Sequence, residues 1–202
     1  MINSNIDSNI KIKKIEDLCD LPIYVHVNKF DDAAVKIFEK EVQYAENHNQ
    51  AEIPILIDSF GGQVYSLLAM VDILKHVKKP IATVVVGKAM SCGAVLFSCG
   101  ADQRRFVAPN ATIMIHDVSS GTYGKVEDMK VDVAEADRLN KLVYNLMAKN
   151  CGHNSNYFLD IVHDKGHADW YLTANDAIFH KLANKIHVPR FNVKVSLETS
   201  FE

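Results

Sequence analysis

The sequence predicts an α/β fold with a largely parallel sheet, and three observations support this class. Strand-like apolar runs alternate with stretches of helical periodicity from Ile23 to Ile115, in the order β–α–β–α–β–α–β–β. The run from Ile81 to Val86 is apolar except for Thr83 and β-branched except for Ala82, which is typical of a strand buried on both faces. With 202 residues, 48% of them hydrophobic, the chain can bury one substantial core.

The elements follow from the periodicity of the apolar residues. Gly87 is expected to end the central strand, and the polar stretch 163–170 is expected to be a loop. Strands are predicted at 23–27, 53–58, 81–86, 104–107, 112–115 and 185–188. Helices are predicted from Asp32 to about Asn47 and over 64–77, 90–97, 124–150, 156–162 and 175–182.

The domain organisation is predicted to be simple. Residues 1–22 are polar and form an N-terminal arm, residues 23–188 form one domain, and residues 189–202 form a C-terminal tail. Alternation of Phe191, Val193, Val195 and Leu197 predicts that the tail is extended, as an edge strand or a segment that docks on a partner.

Charge and composition exclude several classes of partner. A net charge of −3 argues against a nucleic-acid surface, and no apolar run approaches the ~20 residues that span a bilayer. The N-terminus lacks the pattern of a signal peptide, so we expect a cytoplasmic protein. The cysteines have no zinc-like spacing and are expected to be reduced thiols: Cys19, Cys92, Cys99 and Cys151.

The helix predicted over 124–150 is too long for a domain of this size. About 25 residues at ~1.5 Å each give roughly 38 Å, whereas the radius of gyration of a 200-residue globule is about 16–17 Å. The helix should therefore project from its domain. Its apolar stripe, from Val126 to Met147, then needs a partner, most simply a second copy of the chain.

Ser91 lies where the central strand turns into a helix. A hydroxyl held there is close to the free N–H groups of the first helical turn, which stabilise negative charge, and this is the logic of a nucleophile elbow. The same position is also typical of a serine that only caps the helix.

Two further polar residues end or precede apolar segments. His116 follows the strand that ends at Ile115, and Asp169 lies in the loop before the segment 171–174. Nucleophilic catalysis by serine needs a base and a carboxylate that orients the base. The N–H groups of Gly62 and Cys92 could form an oxyanion hole, worth about 3–4 kcal/mol per donor.

Four segments, in order and at similar spacing, resemble the proteolytic subunit of the Clp protease. They are 59–62 (SFGG), 87–94 (GKAMSCGA), 109–116 (PNATIMIH) and 171–174 (YLTA). The resemblance runs from about Ile23 to His187 and implies a fold of the Clp peptidase and crotonase type, built of repeated β-α units.

The resemblance also implies the roles of particular residues. Ser91 is the nucleophile, His116 the base and Asp169 the acid, with Gly62 and Cys92 as the oxyanion hole. The helix from Gly124 is the protruding handle that joins two stacked rings of seven subunits around a chamber. The loop 117–123 lines a groove for an unfolded polypeptide, for which we select Gly61, Val118, Ser119, Ser120 and Gly121. No cofactor and no metal is implied.

The sequence departs from the family pattern in three places. Phe60 stands where the family usually has proline. The segment 152–169 is a few residues longer than usual, so Asp164 and Asp160 compete with Asp169 for the role of the acid. The N-terminal arm lacks the pattern of the family's axial-gate hairpin, which leaves docking to a Clp-type ATPase open. Both a divergent bacterial member and a phage-encoded member with a role in capsid maturation fit these features.

Several alternative interpretations remain beside this one. A crotonase-like acyl-CoA enzyme would share the fold, and a catalytically silent ring subunit would share the assembly. Cys92 could replace Ser91 as the nucleophile, and Lys88 could replace His116 as the base. His163 and His167 could hold a metal, but Gly166 between them argues against the helix that would align them, and a polar loop is favoured.

Overall fold

The structure is a computed structural model that describes residues 21–191. In that range the strands are β1 Val25–Val27, β2 Ile53–Ser59, β3 Ile81–Met90, β4 Arg105–Val107, β5 Thr112–Ile115, β6 Trp170–Leu172 and β7 Lys185–Ile186. The helices are α1 Asp32–Asn47, α2 Val64–His76, α3 Cys92–Ser98, α4 Val126–Asn150, α5 Tyr157–Asp164 and α6 Ala174–Phe179.

The described strands form one sheet that is parallel except at one edge. The main order is β1-β2-β3-β4-β7, and every pair in it is parallel. β5 pairs in parallel with β3 and antiparallel with β6. Helices follow β1, β2 and β3, as right-handed crossovers between parallel strands require. The predicted α/β class with a parallel sheet is therefore confirmed.

The prediction that Gly87 ends the central strand is wrong, because the strand bends there and continues to Met90. Before the bend, Thr83–Val85 pair with β4, and after it, Lys88–Met90 pair with β5. Gly87 has φ +76°, and a Cβ at this position would lie 2.9 Å from the Asp58 carboxylate. The bend thus needs glycine, and it moves the start of α3 from the expected Met90 to Cys92.

The core lies on the side of the sheet that packs against α1, α2 and α3. Every residue of α3 is buried, and β2 contributes Ile53, Ile55 and Ile57, which have no exposed surface. A smaller apolar cluster of Ala82, Val84 and Phe106 covers the other face, with Phe191 packed against it. The strand that precedes the catalytic candidate is therefore held between two apolar layers.

Helix α4 is anchored to the core only by its C-terminal half. Its buried residues all lie from Leu139 onward, whereas Val126, Val131 and Val133 near its start are each more than 60% exposed. Twenty-five residues at ~1.5 Å each make the helix about 38 Å long. Within residues 21–191, the exposed apolar side chains of the first half of α4 thus have no packing partner.

The chain differs from prediction after α4. The expected loop 163–170 is partly structured, since α5 runs to Asp164 and a strand that was not predicted, β6, begins at Trp170. The last helix ends at Phe179 rather than Leu182. The N-terminal arm up to Asp20 and the tail beyond Phe191 lie outside the described residues, so the predicted domain boundaries stay predictions. No helix within residues 21–191 is both long and apolar enough to cross a membrane.

Candidate active site

Ser91 occupies the turn between β3 and α3 in a conformation that is rare for a residue with a side chain. Its φ is +54° and its ψ is −120°. The backbone carbonyl accepts hydrogen bonds from the N–H groups of Ala94 and Val95, but the side chain makes no capping hydrogen bond. Capping by the hydroxyl therefore does not explain this serine. Strained residues of this kind concentrate at functional sites.

The register of β5 brings His116 to the same end of the sheet as Ser91. Met90 pairs with Met114, and the Ser91 N–H donates to the Met114 carbonyl at 2.9 Å. β3 and β5 are parallel, so their carboxyl ends meet at one edge of the sheet. His116, the residue directly after β5, consequently lies beside the Ser91 turn.

The short strand β6 places Asp169 opposite His116. In the antiparallel pair, Ile115 faces Trp170, so the next residue along β5 faces the preceding residue of β6. His116 Nδ1 lies 3.3 Å from Asp169 Oδ1, and the two side chains are 24% and 49% exposed. The structure thus brings together the base and the acid that the sequence suggested.

The competing aspartates remain on another element. Asp160 and Asp164 both belong to α5, and neither has a polar contact with His116 within residues 21–191. Burial of the three residues that follow Asp169 would fix its position. Trp170 and Leu172 are buried, but Tyr171 is 57% exposed, because side chains alternate across a strand.

An apolar pocket, called here the Ser91 pocket, opens beside Ser91 and His116. It is lined by Val64, Leu67, Cys92, Val95, Ile115, Val118, Val143, Tyr144 and Met147. No hydrogen bond joins Ser91 to His116 in the described part of the chain. Hydrogen bonds between catalytic groups are often long in free enzymes and tighten when substrate binds, so a catalytic pair of Ser91 and His116 is compatible with this geometry.

The Gly61-Gly62 turn lies against the start of α3. A Cβ on Gly61 would be 2.8 Å from Ser91 Cβ and 3.3 Å from the Cys92 nitrogen, and φ at Gly61 is +104°. A Cβ on Gly62 would be 2.4 Å from the Phe30 carbonyl oxygen. Both positions therefore need glycine. The Cys92 N–H is the first N–H of α3 and has no acceptor within the helix. It therefore lies next to the Gly61-Gly62 turn as a donor of the helix N-terminus.

Cys92 and Lys88 are poorly placed for the roles that the alternatives gave them. Burial raises the pKa of the Cys92 thiol, whose Sγ–H donates to the Gly62 carbonyl at 3.3 Å. A nucleophilic cysteine needs the opposite environment. The Lys88 ammonium forms an ion pair with Asp58 at 2.6 Å and lies 4.4 Å from the centre of the Phe60 ring. These contacts hold the ammonium beside Asp58 and Phe60.

The predicted groove segment 118–121 is largely exposed and pairs with none of the described strands. Ser119, Ser120 and Gly121 lie in irregular structure at or near the surface. The Val118 N–H donates to Asn140 Oδ1 of α4 at 2.6 Å, which fixes the start of the segment. The remaining backbone groups are free to meet an extended ligand.

Sequence reasoning missed a polar network next to His116. The buried Tyr144 hydroxyl donates to Asp117 Oδ1 at 3.0 Å, and His167 Nδ1 lies 2.6 Å from Asp117 Oδ2. Burial raises the pKa of Tyr144. One signal was available, because a tyrosine beside the apolar stripe of α4 must find a partner for its hydroxyl when buried.

Comparison with known protein families gives one match that covers most of the chain. A family model described as Clp protease matches residues 11–190. The match includes the Ser91 turn, the strands β5 and β6 next to His116 and Asp169, and the whole of α4. The α/β fold with a long projecting helix is consistent with this match. The chain belongs to the Clp protease family, whose members are peptidases.

Proposed function

We propose that this protein is a serine endopeptidase in which Ser91 is the nucleophile, His116 the base and Asp169 the acid. One observation carries the proposal. The sheet register sets a histidine–carboxylate pair, 3.3 Å apart, beside a serine in a strained turn whose side chain does not cap its helix. A catalytic triad requires a histidine between the nucleophilic serine and the carboxylate.

The reaction follows from the geometry. The Ser91 oxygen attacks the carbonyl carbon of the scissile peptide bond while its proton passes to His116. The carbonyl oxygen becomes negatively charged and is bound by the N–H groups of Gly62 and Cys92. When the C–N bond breaks, His116 gives the proton to the leaving amine. Water then hydrolyses the acyl-enzyme by the same steps and frees Ser91.

The substrate is an unfolded polypeptide or peptide. The Ser91 pocket is mostly apolar, so it favours an apolar side chain next to the scissile bond. The segment from Val118 to Gly121, together with Gly61 beside Ser91, offers backbone N–H and C=O groups to an extended chain. Main-chain hydrogen bonds to such an edge give affinity without strong sequence preference.

We also propose that the peptidase works inside an assembly of stacked heptameric rings. The exposed apolar half of α4 supports this assembly, since a surface of this kind on a single chain marks an interaction site. A Clp-type ATPase as a further partner stays an open prediction. A cytoplasmic setting suits the free thiols at Cys92, Cys99 and Cys151.

A fluorophosphonate probe tests the nucleophile directly. We expect it to label one serine in the wild type, and Ser91→Ala to abolish both labelling and peptide cleavage while light scattering shows unchanged assembly. Ser155→Ala, at an exposed turn far from the pocket, should behave as the wild type.

Two results would contradict the proposal. Peptide cleavage by Ser91→Ala would remove the serine mechanism. A wild-type chain that neither reacts with the probe nor cuts peptides would instead point to a silent ring subunit or to acyl-CoA chemistry at the same backbone donors.

A further inference from the structure

Three potential metal ligands converge outside the proposed triad. One ligand atom from each of Asp117, His163 and His167 lies within 4.8 Å of the other two. The two imidazole rings are 4.1 Å apart between centroids. Both histidines are exposed and Asp117 is partly buried, so the cluster lies at the surface with one anchored member.

The end of α5 brings the two histidines together. Gly166 and His167 both have positive φ, +69° and +60°. The His167 N–H donates to the Val162 carbonyl at 3.0 Å, and the Gly166 N–H donates to the His163 carbonyl at 2.8 Å. This pair of bonds is a Schellman motif, which folds the chain back over the last helical turn. The glycine that argued against alignment on a continuous helix is therefore the residue that aligns the rings.

A hydrogen bond from a buried tyrosine fixes the Asp117 carboxylate. Its Oδ1 accepts the hydrogen bond from Tyr144, a residue with almost no exposed surface, and its Oδ2 faces His167. Metal-binding carboxylates commonly have such an outer hydrogen bond, which fixes the direction of the free oxygen.

We propose that Asp117, His163 and His167 form a binding site for a divalent transition-metal ion of the Zn²⁺ type. Two imidazoles and one carboxylate are a ligand set that Zn²⁺ uses when its fourth position is left for water or another small ligand. Imidazole nitrogen favours Zn²⁺ and its neighbours over Mg²⁺ or Ca²⁺, which prefer sites made of oxygen.

Only a small rearrangement is needed for an ion to enter. Bond lengths of about 2.0–2.1 Å in a tetrahedron separate two ligand atoms by roughly 3.3 Å. The His167 nitrogen and the Asp117 oxygen are 2.6 Å apart, so they must open by about 0.7 Å. The His167 side chain is 56% exposed, which leaves room for this shift. The nearest cation along the chain, Lys165, has its ammonium over the Trp170 ring at 5.8 Å.

The ion would link the two segments that carry the proposed base and acid. Asp117 directly follows His116, and His167 precedes Asp169 by two residues. The metal site is separate from the proposed triad, because the two sets share no residue. Its test therefore does not depend on peptidase activity.

The experiment measures metal binding to the full chain without an affinity tag. Titration calorimetry with Zn²⁺ should show one ion per chain, and Co²⁺ should give the visible absorption of a site with nitrogen and oxygen ligands. His163→Ala and His167→Ala should each weaken binding at least tenfold, in line with the loss of one ligand of three. His26→Ala, which removes an exposed histidine on β1, should bind as the wild type.

Three outcomes would overturn the proposal. Wild-type affinity no higher than that of His163→Ala would show that no site exists. An equal loss in His26→Ala would show that binding is not specific to the cluster. A Co²⁺ spectrum with thiolate charge-transfer bands would place the ion at a cysteine instead.

Discussion

Substitution of Gly61 by alanine is expected to disable the site without replacing any residue of the proposed triad. The added methyl group would lie 2.8 Å from Ser91 Cβ. Two carbons in good contact are about 3.5–4.0 Å apart, so the Gly61 turn and the Ser91 turn must separate by roughly 0.7–1.2 Å. A displacement of about 1 Å at a reacting group can cost roughly a hundredfold in rate. The alanine also has to adopt φ +104°, which adds backbone strain.

Gly93→Ala provides the matched control. Gly93 lies two residues after Ser91 within α3, and a Cβ there would meet its nearest neighbour, the Ser59 carbonyl oxygen, at 3.5 Å. This is an ordinary contact, and alanine is favoured over glycine inside a helix. We expect Gly93→Ala to keep its activity within about threefold, because it displaces no reacting group.

The assay is kcat/KM for a fluorogenic peptide, with thermal unfolding followed by circular dichroism on the same samples. Gly61→Ala should unfold at a moderately lower temperature but remain folded at the assay temperature, with about a hundredfold lower kcat/KM. A folded Gly61→Ala with activity near that of the wild type would refute the reasoning from steric displacement. Equal losses in Gly61→Ala and Gly93→Ala would show that the elbow responds to any added bulk.

Three further predictions concern Asp169, Val133 and Glu135. Asp169→Asn should lower turnover by several orders of magnitude, comparable to the about 10⁴-fold loss for the equivalent change in a serine protease. Turnover of Asp164→Asn should stay within about tenfold of the wild type, because Asp164 contacts no reacting group. A severe loss in Asp164→Asn with a mild loss in Asp169→Asn would reverse the assignment of the acid. Val133→Asp should split or loosen a particle many times the 22.6 kDa chain mass, measured by light scattering, and an active wild-type monomer would contradict the ring. Hydrogen bonds from Arg138 and Tyr65 lower the pKa of Glu135 to about 2 from the usual 4.5. Because the folded-state pKa is lowered, the ionised carboxylate stabilises the fold above about pH 4.5, and this stabilisation is lost as the pH falls toward 2. The difference in thermal stability between wild type and Glu135→Gln should therefore shrink over that range. A difference that does not change with pH would be inconsistent with this.

The parts of the fold that were predictable have strong local patterns. The alternation of apolar runs and helical periodicity from Ile23 to Ile115 predicts the parallel sheet, because only crossovers through helices connect parallel strands. Ser91 and His116 stand at the ends of apolar runs, and carboxyl ends of neighbouring parallel strands share one edge. Their placement beside each other could therefore be predicted from the sequence.

The parts that were not predictable depend on tertiary contacts. Gly87 has the same local signature in a strand that ends and in one that bends, and the pairing with β5 decides between them. Strand β6 has three residues, which is too short to show alternation. The contact between Asp117 and His167 joins residues fifty positions apart, and the Schellman motif that enables it depends on how α5 ends.

The antiparallel pairing of β6 with β5 has a consequence for how this chain tolerates changes in length. The position of Asp169 is fixed by the pair Ile115–Trp170 and, on the far side of β6, by the capping box of Thr173 and Asp176 at the start of α6. Residues added or removed in the largely exposed turn between Gly152 and Asn156 therefore leave the register of Asp169 intact, since connections absorb insertions more readily than paired strands do. If this segment is longer than in other family members, as the resemblance predicts, the added length costs the site little.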